Sequence, residues 1–105
     1  MSYNLHYSRL ALQDLDEIWE YVLTDSCSLD VAGNVAENVL NTVEKLEDFP
    51  EMGTVLDTVM PFESDYRVLV AGNYLVFYRF IGTNVFIDRI IHNRRNYVRI
   101  LFGQS

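Results

Sequence analysis

The hydrophobic period of this chain changes once, and that change limits the folds open to it. Ala11, Leu15, Ile18, Trp19 and Val22 recur at three- and four-residue spacing, and so do Ala32, Val35, Ala36, Val39, Leu40, Val43 and Leu46. From Tyr66 onward the spacing drops towards two, with Tyr66, Val68 and Val70 on alternate positions. Side chains repeat every 3.6 residues on a helix and every 2 on a strand, so the first stretch reads as helices and the second as a sheet. An α+β fold follows, with its helices segregated ahead of most of its strands.

Tyr3, Leu5 and Tyr7 alternate with polar residues and predict a short strand over 3–7, with one buried face. Ser8 stands where an N-cap belongs, because its hydroxyl can accept from the free N–H groups of a first helical turn. The first helix should run to about Thr24, with Asp14, Asp16, Glu17 and Glu20 largely on its polar side. Asp25 to Asp30 form a short polar link in which Ser28 or Asp30 can cap a second helix, and Pro50 stops that helix after about Asp48. So short a link makes the two helices an antiparallel hairpin. A loop with Met52-Gly53 and Pro61 leads to three strands, at Tyr66 to Val70, Tyr74 to Phe80 and Val85 to Ile91. Gly72-Asn73 and Gly82-Thr83-Asn84 supply the turns of an antiparallel meander. Residues 94–102 read either as a short helix or as an extended tail. The expected architecture is a four-stranded sheet with the helical hairpin on one face and the other face open. Trp19, Tyr21 and the aromatics of Tyr74 to Phe80 read as core.

A chain of 105 residues suits one domain, and half of it is apolar, enough to offset the entropy of ordering by burial. Met1 to Tyr7 lacks the basic start and apolar run of a secretory signal, and stretches such as Tyr74 to Tyr78 are far too short to span a bilayer. Cys27 is the single cysteine, so no internal disulfide can form, and the expected location is the cytoplasm. No spacing of His, Cys or carboxylates fits a metal, and no phosphate-binding glycine loop is present, so no cofactor is expected. Charge is informative through its distribution. Residues 1–65 hold Arg9 and Lys45 against fourteen acids, a net −12, whereas residues 66–105 hold six arginines against Asp88 alone, a net +5. Such a basic end can engage phosphate or an acidic peptide locally although the whole chain is at −7.

The stretches Tyr66-Arg67-Val68-Leu69-Val70, Asn73-Tyr74-Leu75-Val76-Phe77-Tyr78-Arg79 and Arg89-Ile90-Ile91-His92-Asn93-Arg94-Arg95, in this order, resemble the RelE/ParE superfamily of bacterial toxins. The Leu-Glu-Asp-Phe-Pro-Glu-Met-Gly stretch from Leu46 to Gly53 is similar to the segment that follows the helical hairpin there. Val76 to Arg79 and Arg89 to His92 look closer to ParE, whose members poison DNA gyrase, than to the ribosome-dependent mRNA nucleases typified by RelE. Where those nucleases usually carry an arginine before the Leu-Val-Tyr-like run, this chain has Leu75. Of their paired basic residues on the preceding strand, the first matches Arg67 and the second falls at Leu69.

The resemblance implies a toxin that binds gyrase and stalls replication, with an antitoxin as its partner and any contact with operator DNA made only through that complex. Arg79, Arg89, Arg94, Arg95 and Arg99 are the residues expected to contact target or antitoxin. The alternative is an endonuclease acting on ribosome-bound mRNA. Cleavage by a 2′-hydroxyl needs a proton acceptor, charge on the phosphate and a donor for the leaving oxygen. His92 suits the acid–base role, Arg67 and Arg94 suit the phosphate, and Tyr97 can stack on a base. A third reading keeps only antitoxin binding. Beside these, a lone histidine at a strand end is more often a structural group than a catalyst, and Arg89, placed by alternation with Val85, Ile87 and Ile91, can equally pair with a helix acid.

Overall fold

In the computed structural model, which describes residues 2–55 and 66–102, the first change of direction comes at Ser8. Strand β1 (Asn4–Tyr7) ends there and helix α1 (Arg9–Ser26) begins, with the Ser8 hydroxyl accepting from Ala11 N at 3.0 Å. Helix α2 (Leu29–Glu44) starts in the same way at Ser28, the cap of the two alternatives that the chain uses, and a 3-10 turn (Lys45–Glu47) carries it to Asp48. Strands β2 (Thr54–Val55), β3 (Arg67–Ala71), β4 (Tyr74–Ile81) and β5 (Asn84–His92) follow, and a short helix α3 (Tyr97–Phe102) closes the described chain. Residues 94–102 thus take the helical alternative at their end. Pro61, read as part of the loop, lies outside the described residues.

The sheet has five strands, ordered β1-β5-β4-β3-β2, rather than the four expected. The extra strand is the pairing of Thr54 with Val68 and of Val55 with Arg67, and two residues are too few to leave a period in the sequence. The meander β3-β4-β5 is antiparallel, while β1 lies parallel to β5, so the sheet is mixed. Gly72 and Gly82 open the two hairpin turns with φ of 63° and 60°, the left-handed region that glycine enters without steric cost.

The hairpin packs on one face. Val39 and Val43 of α2, Leu46 of the 3-10 turn, and Ala11 and Ile18 of α1 meet Val76, Tyr78, Val85, Ile87 and Ile90 of the sheet. The opposite face is not open, as alternation alone predicts. Phe77 and Ile91 are buried there under Tyr97, Ile100 and Leu101 of α3, beside Tyr66, Val68 and Leu75. Phe77 and Tyr78 are core aromatics, but Trp19 and Tyr21 are not, with 36% and 65% of their surface exposed. They flank the apolar stripe of α1 instead of lying within it.

A β-bulge separates the two halves of β5. Tyr78 pairs with Ile87 and Phe77 with Arg89, which leaves Asp88 as the extra residue. Alternation resumes out of phase, so Ile87 and Ile90 belong to the helix-side core and Ile91 to the opposite one. The expectation that Arg89 shares a face with Val85, Ile87 and Ile91 therefore fails for the residues before the bulge.

Tyr78 fastens the connection between the helices and the meander. Its hydroxyl donates to Pro50 O at 2.7 Å and accepts from Gly53 N at 2.9 Å, all within the buried interior. Gly53 is required by this approach, because a Cβ there would stand 2.6 Å from the Tyr78 hydroxyl and 2.8 Å from Val68 O. Replacing Tyr78 by Phe strands a buried N–H and a buried carbonyl, and urea titration should show a loss of about 1–3 kcal/mol. Burial pushes the Tyr78 phenol above its ordinary 10.0, against the lowering effect of the Gly53 bond and Arg67. Its contribution is therefore complete below pH 10 and is lost as pH rises through the raised value, so Tyr78→Phe should also blunt alkaline unfolding.

Candidate functional site

Because β1 stops at Tyr7, opposite Ile87, the second half of β5 has no described strand on its edge away from β4. Side chains and caps take over that edge. Ser8 N donates to Ile87 O at 2.9 Å, and the Ser8 hydroxyl donates to Asp88 O at 2.7 Å. One turn and a half further on, Asp14 Oδ2 accepts from Ile90 N at 2.9 Å. The same carboxylate receives both Nε and Nη2 of Arg89, at 2.8 and 2.9 Å. Asp14 is only 5% exposed, which corrects its placement on the polar side of α1. Its hydrogen bond, and then its charge, raise the Arg89 pKa above the ordinary value in spite of burial. A two-pronged pair of this kind fixes geometry as well as adding energy.

Beside the Asp14–Arg89 clasp lies a cleft of about 360 Å³ between α1 and the end of β5. Ile18, Tyr74 and Ile90, all nearly buried, form its apolar floor. Glu17 and Tyr21 stand along the α1 side, while His92, Arg94 and Arg95 close the other. His92 Nδ1 accepts from Arg94 N at 3.1 Å, so the neutral ring carries its proton on Nε2 and offers a donor. The ring meets Tyr74 edge-on, with centroids 5.3 Å apart. Arg94 and Arg95 are exposed and make no ion pair among the described residues.

The other residues singled out in the sequence sit elsewhere. Arg67 donates to Glu51 O and Gly53 O and covers the Phe80 ring at 5.5 Å, so it braces the loop before β2. It pairs with Tyr78, four positions along β4 from the Tyr74–His92 pair, roughly 13 Å at strand spacing. Tyr97 lies on the opposite face, against Phe77 at 5.3 Å. The structure thus brings His92 and Arg94 together, and places Arg67 and Tyr97 apart from them and from each other. Among the five contact candidates, Arg89 is bound to Asp14, and Arg79 is bound to Asp88 at 3.0 Å and lies over Tyr66. Arg99, on α3, is exposed near Arg95. No group of metal-ligating side chains occurs among the described residues, and none of their helices is long and apolar enough to cross a membrane.

Asp14, Glu17, Tyr21 and Tyr74 were not singled out as site residues. Asp14 did carry a signal, since it falls three residues after Ala11 and four before Ile18, on the apolar stripe itself. An acid at such a position needs a cation, and the arginine-rich end was the place to look for one.

A family model described as the ParE toxin of the type II toxin–antitoxin system, parDE, matches residues 5–97. No curated protein matches the chain. Among solved structures, a chain of the chromosomal ParDE toxin–antitoxin system from P. aeruginosa is similar over 87% of this chain and 96% of its own, with a TM-score of 0.71 and 20% identity. A chain of the RelBE2 toxin–antitoxin complex from Mycobacterium tuberculosis is similar over 88% of this chain and 99% of its own, with a TM-score of 0.56 and 19% identity. At these identities the likeness is one of fold.

Removing one partner of a buried pair leaves the other charge uncompensated, typically at about 3–5 kcal/mol. Asp14→Ala should cost that much in denaturant unfolding. Asp14→Asn should cost less, because it keeps an acceptor for Ile90 N, and pairing Asp14→Asn with Arg89→Met should recover part of the loss. Additive losses in the double variant would show that the two side chains do not act as a pair.

Proposed function

Because the chain belongs to the ParE toxin family of type II toxin–antitoxin systems, we propose that it arrests DNA replication by binding DNA gyrase, and that an antitoxin holds it in check. The observation that carries this reading is the cluster of Arg94, Arg95 and Arg99, exposed and without counter-ions among the described residues, at the end of an otherwise acidic chain. An inhibitor that works by binding needs such a surface and no acid–base geometry. Guanidinium groups suit that purpose, since they stay charged and present a rigid fork to carboxylate or phosphate. The dispersal of Arg67 and Tyr97 supports binding over cleavage, because proton transfer requires its groups within hydrogen-bond reach of one reacting site.

A second reading, the ribosome-dependent mRNA endonuclease, draws on the adjacency of His92 and Arg94. Pulse-labelling of DNA and protein synthesis minutes after the chain is induced without antitoxin separates the two. We expect DNA synthesis to fall first, and Arg94→Glu, Arg95→Glu and Arg99→Glu together to abolish the fall while His92→Ala leaves most of it. An early loss of protein synthesis that His92→Ala removes would establish the nuclease reading instead. Unchanged synthesis of both would leave a chain that only binds its antitoxin.

A further inference from the structure

Strand β1 is an edge of the sheet, and no described strand lies on its side away from β5. Asn4 N donates to Thr83 O and Ser8 N to Ile87 O, so the even-numbered residues turn their main-chain groups towards β5 and the odd-numbered ones turn theirs outward. Tyr3 N finds Glu47 O at 2.7 Å. The Leu5 N–H and carbonyl and the Tyr7 N–H have no hydrogen-bond partner among the described residues. A row of such groups is a template for another strand.

The surroundings of this edge are acidic and, at the Tyr3 end, apolar. Burial first, and then the charges of Glu44 and Glu47, raise the Tyr7 pKa, which places both carboxylates near the strand. Asp48 and Glu51 follow them in the chain. Against these four acids stand Lys45, and Arg67 where it donates to the Glu51 and Gly53 carbonyls, but none of the four makes an ion pair among the described residues. Beside Tyr3 lies a depression of about 500 Å³, lined by Phe49, Pro50 and Met52 together with Asp48 and Glu51. Phe49 is 65% exposed and Met52 45%. These two large apolar side chains face solvent next to an unpaired strand.

We infer that the β1 edge receives an extended basic segment of a partner protein, which hydrogen-bonds Leu5 and Tyr7 through its main chain, sets lysines or arginines at alternate positions against Glu44 and Glu47, and seats an apolar side chain between Tyr3, Phe49 and Met52. Main-chain bonds give strand addition its affinity, and alternate side chains give it specificity. Leu5 and Tyr7 point to the helix side of the sheet, so every second side chain of an added strand comes to that side, where Glu44 and Glu47 end α2 and its 3-10 turn. The unbranched thioether of Met52 adapts to apolar partners of different shape.

Charge decides between occupants. A second copy pairing β1 with β1 would set the Glu44 and Glu47 of each protomer against like charges, which is unfavourable across paired strands. A nucleic acid strand meets the same repulsion at every phosphate. The site is also separate from the cleft at the arginines, because β1 flanks the first half of β5 whereas Arg94 and Arg95 come after its end.

The test uses the intact chain and depends neither on toxicity nor on gyrase. A phage-displayed library of random dodecapeptides would be selected against it, and the winners synthesised and titrated at about 150 mM salt. Winners should carry Lys or Arg at alternate positions near one apolar residue, and should slow hydrogen exchange at the Leu5 and Tyr7 amides. Methylating the peptide amides that face β1 should weaken binding about tenfold or more, while methylating the intervening ones leaves it unchanged. Glu44→Gln with Glu47→Gln should weaken it about tenfold, and Phe49→Ala a few-fold. Thermal melts would verify that these variants fold. No enrichment, acidic winners, winners indifferent to Glu44 and Glu47, or protection elsewhere would each overturn the inference. Binding that survives methylation on the facing side would reduce it to charge attraction without an added strand, and would overturn it as well. Protection of Leu5 that grows with protein concentration in the absence of peptide, with dimers in sedimentation, would overturn it in favour of a second copy.

Discussion

The contact between Asp14 and the edge of β5 is the constraint from which the rest of this structure can be reasoned. A sheet edge with no neighbouring strand exposes unpaired N–H and C=O groups, and burying them under a helix is costly unless something pairs them. Asp14 pairs one and neutralises Arg89 at the same time. It thereby fixes the height at which α1 crosses the sheet. Every other group on the α1 side of the cleft, Glu17, Ile18 and Tyr21, takes its position from that crossing.

The six arginines of the basic end divide by geometry into two kinds. Arg67, Arg79 and Arg89 lie on strands, each with oxygens or an aromatic ring of the fold beside it, and their charge is used internally. Arg94, Arg95 and Arg99 come after the last strand and make no ion pair among the described residues, although Glu17 of α1 borders the same cleft as the first two. The charge asymmetry of the sequence is therefore spent in part within the fold. Arg79 and Arg89 spend theirs in ion pairs and Arg67 spends its charge on carbonyls and a ring, and a buried pair serves register and orientation more than net stability.

Most of the architecture was legible because it rests on long, repeated patterns. Two caps at Ser8 and Ser28, two apolar stripes and two glycine turns each involve several residues that agree with one another. What escaped was local and carried by single residues. β2 is two residues long. The bulge at Asp88 has no composition of its own, and it inverts the face of every residue after it. Covering of the second sheet face depends on α3 folding back over Phe77 and Ile91, a contact between residues twenty positions apart that no period reports.

The site divides in the same way. The sequence by itself determined the order of elements, the helical hairpin, the meander and the concentration of arginines at one end, because periodicity, capping and charge are properties of neighbouring residues. The tertiary structure alone decided which arginines are free, that Asp14 meets Arg89 across seventy-five positions, and that Arg67 and Tyr97 lie away from His92. Those outcomes follow from where β1 stops, where β5 bulges and how α1 crosses the edge. Each is a balance of hydrogen bonding and burial between distant segments, and no local pattern encodes it.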